Sequence, residues 1–212
     1  MIELYYFPGN ASFTPHVILR ELDIPFKLTL VDRSKDAQRS PEYLKLNPAG
    51  RIPTLVDGDL VLFETAAICL HLSDTHPEAG LAPAFGTIER AHFYKWLMFL
   101  TNTIQSETLM YFYNERYTTN PDCGPTIKDA VGERLMGWYQ LIEDQLEDGG
   151  WFLGDTFSLL DIYLTMVARW GRFLPKPPRD LPKINALARR ALQRPTLQAA
   201  IEAEGIEGDF LG

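Results

Sequence analysis

Cysteine is scarce in this chain, basic charge is outweighed, and no long apolar run occurs. Only two cysteines, Cys69 and Cys123, stand among 212 residues. Neither belongs to a C-x-x-C pair, so neither a protein dithiol nor a zinc knuckle is indicated, and two residues make no disulfide framework. Cys69 sits in the apolar stretch Ala66-Ala67-Ile68-Cys69-Leu70 and reads as a buried packing residue. Cys123, between Pro121 and Gly124-Pro125, reads as an exposed loop residue. Lysine and arginine number 20 against 28 acidic residues, a net charge of -8. That excess argues against nucleic acid, whose phosphates call for a basic surface, and against anionic membranes. A small anionic ligand stays compatible with it, because helix N-termini and a few local cations hold an anion against the net charge. No apolar stretch approaches the roughly 20 residues of a membrane span. The start, Met1-Ile2-Glu3-Leu4-Tyr5-Tyr6, lacks the basic and apolar regions of a signal peptide, so the reading is a cytoplasmic protein. No metal site is indicated.

What is present is the composition of a globular protein, 46% hydrophobic and 23% charged, long enough for one large domain or two modest ones. The first 80 residues alternate strand and helix signals. Ile2, Leu4 and Tyr6 alternate with Glu3 and Tyr5, a half-buried strand. Pro8-Gly9-Asn10 breaks it, and Thr14-Pro15 opens a helix that carries Val17, Ile18, Leu19 and Leu22. Phe26, Leu28 and Leu30 form a second strand, and the polar stretch Arg33 to Arg39 reads as a loop. Pro41 to Leu46 reads as a short helix. Ile52 to Val56 and Leu60 to Phe63 flank Asp57-Gly58, a hairpin signal. Glu64 to His76 reads as a helix that Pro77 stops.

Gly80 to Gly86 is rich in Gly, Pro and Ala and reads as a linker. Strand signals end there. The pattern predicts helices from Ile88 to about Tyr117, Thr126 to Leu146, Ser158 to about Phe173, Lys183 to Arg194 and Thr196 to Ala203, with a loop from Thr119 to Pro125. An α/β front half and an all-α back half suggest two domains, 1–79 and 88–212, joined by 80–87.

Three local features can carry chemistry. In Asn47-Pro48-Ala49-Gly50-Arg51-Ile52-Pro53-Thr54-Leu55, Pro53 stands at a strand entrance. A trans proline there merely begins an edge strand. A cis proline exposes the N–H and C=O of Ile52 for strand-like pairing with an extended peptide. At Phe63-Glu64-Thr65-Ala66 a strand hands over to a helix. Thr65 is a good N-cap, the free N–H groups suit a ligand carboxylate, and Glu64 suits a ligand ammonium. A plain cap beside a solvated acid is the competing reading. The loop Phe7 to Pro15 delivers Ser12 to a helix N-terminus, where a hydroxyl and the helix dipole favour an anion such as a thiolate. The competing reading is that Ser12 or Thr14 simply caps the helix.

Together these residues resemble the glutathione transferase family over essentially the whole chain. Leu4-Tyr5-Tyr6-Phe7-Pro8-Gly9, Ser12, Thr14-Pro15-His16 and Leu19-Arg20-Glu21-Leu22 look like the bacterial beta class. Asn47 to Leu55 is similar to the family's cis-proline motif, Glu64-Thr65 to its acidic residue followed by Ser or Thr, and Phe157-Ser158-Leu159-Leu160-Asp161 to its capping box with a buried Asp. The resemblance implies an α/β thioredoxin-like N-terminal domain and an all-α helical-bundle C-terminal domain. It implies glutathione as co-substrate and a homodimer. Ile52, beside cis Pro53, would pair with the cysteinyl unit. Glu64 would take the γ-glutamyl ammonium and Thr65 the carboxylate, and Lys35 the glycyl carboxylate. Ser158 and Asp161 would be structural.

The chain also departs from that pattern. The beta class has a cysteine in the first loop where this chain has Ala11, which removes a mixed disulfide at that position. For thiol activation Ser12 ranks first, then Tyr5 or Tyr6, then Asn10. In the first long helix Met98 and Gln105 stand where the class often has Asn and His, leaving Asn102 and Gln105 to reach the pocket. Phe13, Phe99, Tyr111, Phe112, Tyr113, Tyr117 and Trp170 are candidates to line an apolar electrophile pocket, against a competing role as core. Conjugation or dehalogenation of small electrophiles is the leading activity. A glutathione-dependent disulfide reductase or peroxidase, and a non-catalytic interaction or stress module, are the alternatives.

Overall fold

Strand β1 (Ile2–Tyr6) is the hub of a four-stranded sheet ordered β2-β1-β3-β4. The computed structural model describes residues 1–212. β2 (Phe26–Leu30) runs parallel to β1, with Tyr6 opposite Leu30. β3 (Thr54–Asp57) runs antiparallel to it, with Tyr5 opposite Thr54. β4 (Leu60–Phe63) closes the hairpin with Thr54 opposite Phe63, and Gly58 supplies the positive φ its tight turn requires. The ladder starts at Thr54, two residues later than the sequence pattern predicts. Pro53 has no N–H to give a neighbouring strand, so pairing cannot extend through it.

α1 (Phe13–Glu21) packs on α3 (Thr65–Thr75). Leu4, Phe13, Val17, Ile18, Leu55, Ile68, Cys69 and Leu72 are buried among the hydrophobic residues of this half. α2 (Pro41–Leu46) is capped by Ser40, whose Oγ accepts from the Tyr43 N–H, and Tyr43 sets its ring edge-on to Tyr5. The expected loop Arg33 to Arg39 is wound into two 3₁₀ turns, Arg33–Lys35 and Ala37–Arg39. Asp32 begins the first by accepting from the Ser34 N–H.

The helices after the linker are α4 (Ile88–Met98), α5 (Ser106–Phe112), α6 (Gly124–Gln145), α7 (Leu159–Trp170), α8 (Pro182–Leu192) and α9 (Pro195–Ala203). The single helix expected from Ile88 to Tyr117 is interrupted. Phe99–Gln105 winds as a π-helix, and Asn114–Tyr117 is a 3₁₀ turn. Thr101, Thr103 and Ile104 are β-branched and weaken the α-helical preference there. The wider winding accompanies a shared contact, because Thr101 and Gln105 both hydrogen-bond the Tyr163 hydroxyl. α7 carries the capping box that the sequence indicates, and Asp161 additionally accepts from the Phe152 N–H at 2.7 Å.

The chain divides into two compact units, Met1–Ala82 with Gln193–Gly208, and Pro83–Leu192 with Asp209–Gly212. This differs from the sequence division at one place. Helix α9 and its flanks, expected in the helical half, belong to the first unit. α9 packs on α1, the Arg194 guanidinium pairs with Glu21 through two 2.7 Å hydrogen bonds, and His16 meets Glu204 at 2.8 Å. Within the second unit α5 packs on α6, and α7 on α8. Glu143 on α6 accepts from the N–H groups of Lys183 and Ile184, both at 2.9 Å, and so caps α8 from a distance in sequence. No helix is long and apolar enough to cross a membrane.

Candidate functional site

The register of the sheet brings the three chemistry-bearing segments to one end. Tyr5 opposite Thr54 and Thr54 opposite Phe63 place the end of β1, the start of β3 and the end of β4 side by side. The loop Phe7 to Ser12 leaves from the first, Ile52-Pro53 enters the second, and Glu64-Thr65 leaves the third. The end of β2 joins them, because Val31 donates its N–H to the Tyr6 carbonyl at 2.9 Å.

Ile52-Pro53 is a cis peptide. Ile52 lies outside the strands, and neither its N–H nor its C=O is bonded within the chain. Around it the segment is rigidly held. Asn47 Nδ2 donates to the Arg51 carbonyl at 2.8 Å, and the buried Tyr43 hydroxyl donates to the same oxygen at 2.7 Å. The Ile52 backbone is thus presented with its pairing groups unused.

Glu64 occupies the position before α3 with φ +74, a value that few non-glycine residues adopt. Its side chain is exposed and has no partner, and α3 has no side-chain cap. This corrects the expectation for Thr65. Glu64 holds the N-cap position, so Thr65 is the first helical residue. The buried Thr65 hydroxyl donates to the Ala11 carbonyl at 3.2 Å and ties α3 to the first loop. The N–H groups of Thr65 and Ala66 carry no acceptor from the chain. A strained residue, a free carboxylate and an open helix end therefore coincide, and strain of this kind clusters at ligand-binding positions.

Ser12 stands at the N-cap position of α1 in α-helical backbone conformation, and it makes no capping bond. It is fully buried. Its Oγ donates to the Phe7 carbonyl and accepts from the Phe7 N–H, both at 3.2 Å. The hydroxyl therefore closes the loop on itself. The Ser12 N–H has no acceptor in the chain and points α1's positive end at the loop. Asn10 turns inward as well, its Oδ1 accepting from the Ala11 N–H at 2.6 Å.

The two tyrosines face opposite ways, as strand alternation requires. Tyr6 lies toward α1, its ring 6.4 Å from that of His16. Tyr5 faces α2 and lines a cleft of about 420 Å³ with Thr29, Ser40 and Tyr43. Burial raises the pKa of both phenols, so both are neutral donors at pH 7. Lys35 is 82% exposed and sits 3.3 Å from Asp32. Gln105 belongs to the second unit, where its Oε1 accepts from Tyr163. Phe13 is core, whereas Phe112 and Phe173 stack edge to face at 5.9 Å and stay exposed.

One pairing was missing from the sequence reading. His16 and Glu204 form a fully buried pair, and Glu204 also accepts from the Gly9 N–H at 2.8 Å. They are 188 residues apart, and no local pattern links them.

Comparison with known proteins decides the family. Residues 1–74 match the glutathione S-transferase N-terminal domain model, and residues 115–195 match its C-terminal domain model. The chain is 31% identical to glutathione S-transferase GST-4.5 of Xanthomonas campestris over 205 residues, 97% of this chain and 100% of that one. The chain belongs to the glutathione S-transferase family. A glutathione transferase homologue from Sulfitobacter, solved with bound glutathione, superposes on this transferase with a TM-score of 0.89 at 27% identity, covering 98% of this chain and 99% of that one. Disulfide-bond oxidoreductase YfcG of Escherichia coli K12 is 29% identical over 76% of each chain.

Proposed function

We propose that this transferase binds glutathione at the end of the sheet just described and activates its thiol for attack on small electrophiles. The observation that carries the reading is the set of unused groups on three converging segments. The Ile52 backbone matches the N–H and C=O of a cysteinyl unit. The open end of α3 takes the γ-glutamyl carboxylate and Glu64 its ammonium. Lys35 is the candidate cation for the glycyl carboxylate. The thiol then falls at the N-terminus of α1.

A thiol of pKa about 8.5 is only a few per cent ionised at pH 7. Lowering it by about two units stabilises the thiolate by ~2.7 kcal/mol. One hydrogen bond to an anion contributes about 1.5–3 kcal/mol and a helix end about 0.3–1 kcal/mol, which together suffice. Ser12 supplies the bond through its free N–H, or through its hydroxyl if the thiolate displaces the Phe7 carbonyl. The thiolate sulfur then attacks an electrophilic carbon, and the leaving group departs with the carbon's bonding pair.

A second reading, reduction of glutathione mixed disulfides, is favoured by the likeness to the YfcG oxidoreductase. It would use bound glutathione in place of a protein thiol, since Ala11 takes the loop position and the buried Cys69 thiol is pushed well above its usual pKa. We further propose, following the family resemblance, that the protein works as a cytoplasmic homodimer, its N-terminal half facing the helical half of the partner.

Calorimetry with reduced glutathione, combined with the thiolate absorbance of the bound ligand across pH, tests the principal reading. Binding with a thiolate near neutral pH is expected. Loss of that thiolate in Ser12→Ala assigns activation to the Ser12 hydroxyl, acting on the thiol or through its bonds to Phe7. Its retention sets the hydroxyl aside and leaves the backbone N–H at position 12, Tyr5, Tyr6 and Asn10 as the groups to test next. No binding at all overturns the reading.

A further inference from the structure

The buried carboxylate of Glu204 has no part in the site as proposed, and its surroundings show what it does. Arg20 Nε donates to His16 Nε2 at 2.9 Å. A guanidinium cannot accept, so Nε2 carries the lone pair and the proton lies on Nδ1. That proton is donated to Glu204 Oε1 at 2.8 Å. The remaining oxygen, Oε2, accepts the Gly9 N–H at 2.8 Å. The chain of bonds therefore runs from the Arg20 cation through a neutral imidazole to a carboxylate and ends on the loop backbone. Both side chains of the His16–Glu204 pair are 0% exposed. A buried anion without such partners would be strongly disfavoured.

Gly9 stands at the centre of the turn that opens the loop. Phe7 to Asn10 is a turn, closed by Asn10 N–H to Phe7 O at 3.1 Å, with Pro8 and then Gly9 at φ +64 in its centre. The N–H of a central turn residue has no partner inside the turn. Glu204 supplies that partner. Phe7, at the start of the same turn, is the residue that both receives and gives the Ser12 Oγ hydrogen bonds.

We propose that Glu204, held by His16 and Arg20, is a positioning residue that fixes the Phe7–Ser12 loop so that the N-terminus of α1 meets the thiol. The proposal rests on the glutathione reading above. It makes the segment after α9, at the far end of the chain, part of thiol activation although no atom of it touches the thiol.

The test is the isosteric variant E204Q. Its amide can offer oxygen to only one of Gly9 N–H and His16 Nδ1–H; if its nitrogen faces His16, the imidazole must carry its proton on Nε2 and lose the Arg20 bond, so one link of the Arg20–His16–Glu204–Gly9 chain fails in either orientation. The control is R194A, which loosens α9 at its other end by removing the Glu21 pair and leaves the loop contacts intact. The readouts are the pH titration of the bound glutathione thiolate and the affinity for S-methylglutathione, which has no thiol to ionise. In E204Q the titration is expected to move upward, leaving about tenfold less thiolate on the rising limb, a shift of about one pH unit. S-methylglutathione affinity stays within about twofold of wild type, a range of ~0.4 kcal/mol, and R194A titrates like wild type. Coincident titrations in wild type and E204Q overturn the proposal while the glutathione reading stands. Equal shifts in E204Q and R194A overturn it too, because Glu204 would then act only through the stability of α9. A wild type with no bound thiolate overturns the glutathione reading itself, and this proposal with it.

Discussion

At the scale of single residues, Glu64 and Asp161 show opposite uses of a carboxylate. Glu64 is exposed, unpaired and held at positive φ, which contributes nothing to the fold by itself. Its proposed partner is a ligand ammonium, a charge-assisted bond of about 1.5–3 kcal/mol. Glu64→Gln is therefore expected to weaken glutathione binding by about 10- to 100-fold with an unchanged melting temperature, measured by calorimetry and thermal denaturation. Asp161 is buried and accepts from the Phe152 N–H, the Ser158 N–H and the Ser158 hydroxyl. Burial nevertheless dominates and raises its pKa from 3.8 to about 6. A carboxyl raised in this way adds stability that is complete below its unfolded pKa and is lost as pH rises through the folded value. The gap corresponds to about 3 kcal/mol. The stability advantage of wild type over Asp161→Asn, from urea denaturation, is expected to shrink by about that amount between about pH 4 and about pH 6 and to stay level above.

At the scale of elements, helix ends differ in how their free N–H groups are met. α3 is left open at its N-terminus, whereas α7 and α8 are closed. The cap of α8 is not local. Glu143 reaches from α6 to two orphan N–H groups and sets a negative charge at the positive end of the helix. Glu143→Ala removes both bonds and leaves one buried and one part-buried donor unmet, so a loss of about 2–4 kcal/mol in unfolding free energy is expected. Lys183→Ala alters only the side chain that meets the Leu146 carbonyl, and a loss under about 1 kcal/mol is expected from the same measurement.

At the scale of the whole molecule, edge strand β4 exposes Leu60, Val61 and Phe63. Exposed apolar residues on an edge strand invite association unless a partner covers them. In the proposed homodimer this surface is the one to disturb. Phe63→Glu is expected to shift the protein toward monomer in sedimentation velocity, while a wild type that sediments as monomer at all concentrations would remove the dimer from the proposal.

The local signals were legible because each depends on neighbours in sequence. Alternation at Ile2, Leu4 and Tyr6 marks a strand, Asp57-Gly58 marks a hairpin, and Ser158 with Asp161 marks a helix start. The candidate motifs at Ser12, Ile52-Pro53 and Glu64-Thr65 could be named for the same reason. Other features depend on what the folded chain brings near. Thr65 bonds Ala11 instead of capping α3, because the strained Glu64 takes the cap position. The Ser12 hydroxyl is spent on Phe7, because the turn at Pro8-Gly9 brings that residue back to it. The expected long helix gives way at Phe99–Gln105, where Tyr163 offers a hydroxyl to Thr101 and Gln105. The sequence alone determined most of the elements, their order and the segments proposed to bear chemistry, since propensity, alternation and turn formation act over a few residues. Tertiary structure alone decided that α9 returns to the first unit and that Glu204 lies under the loop at Gly9. Those contacts join residues nearly two hundred positions apart, and packing rather than pattern selects them.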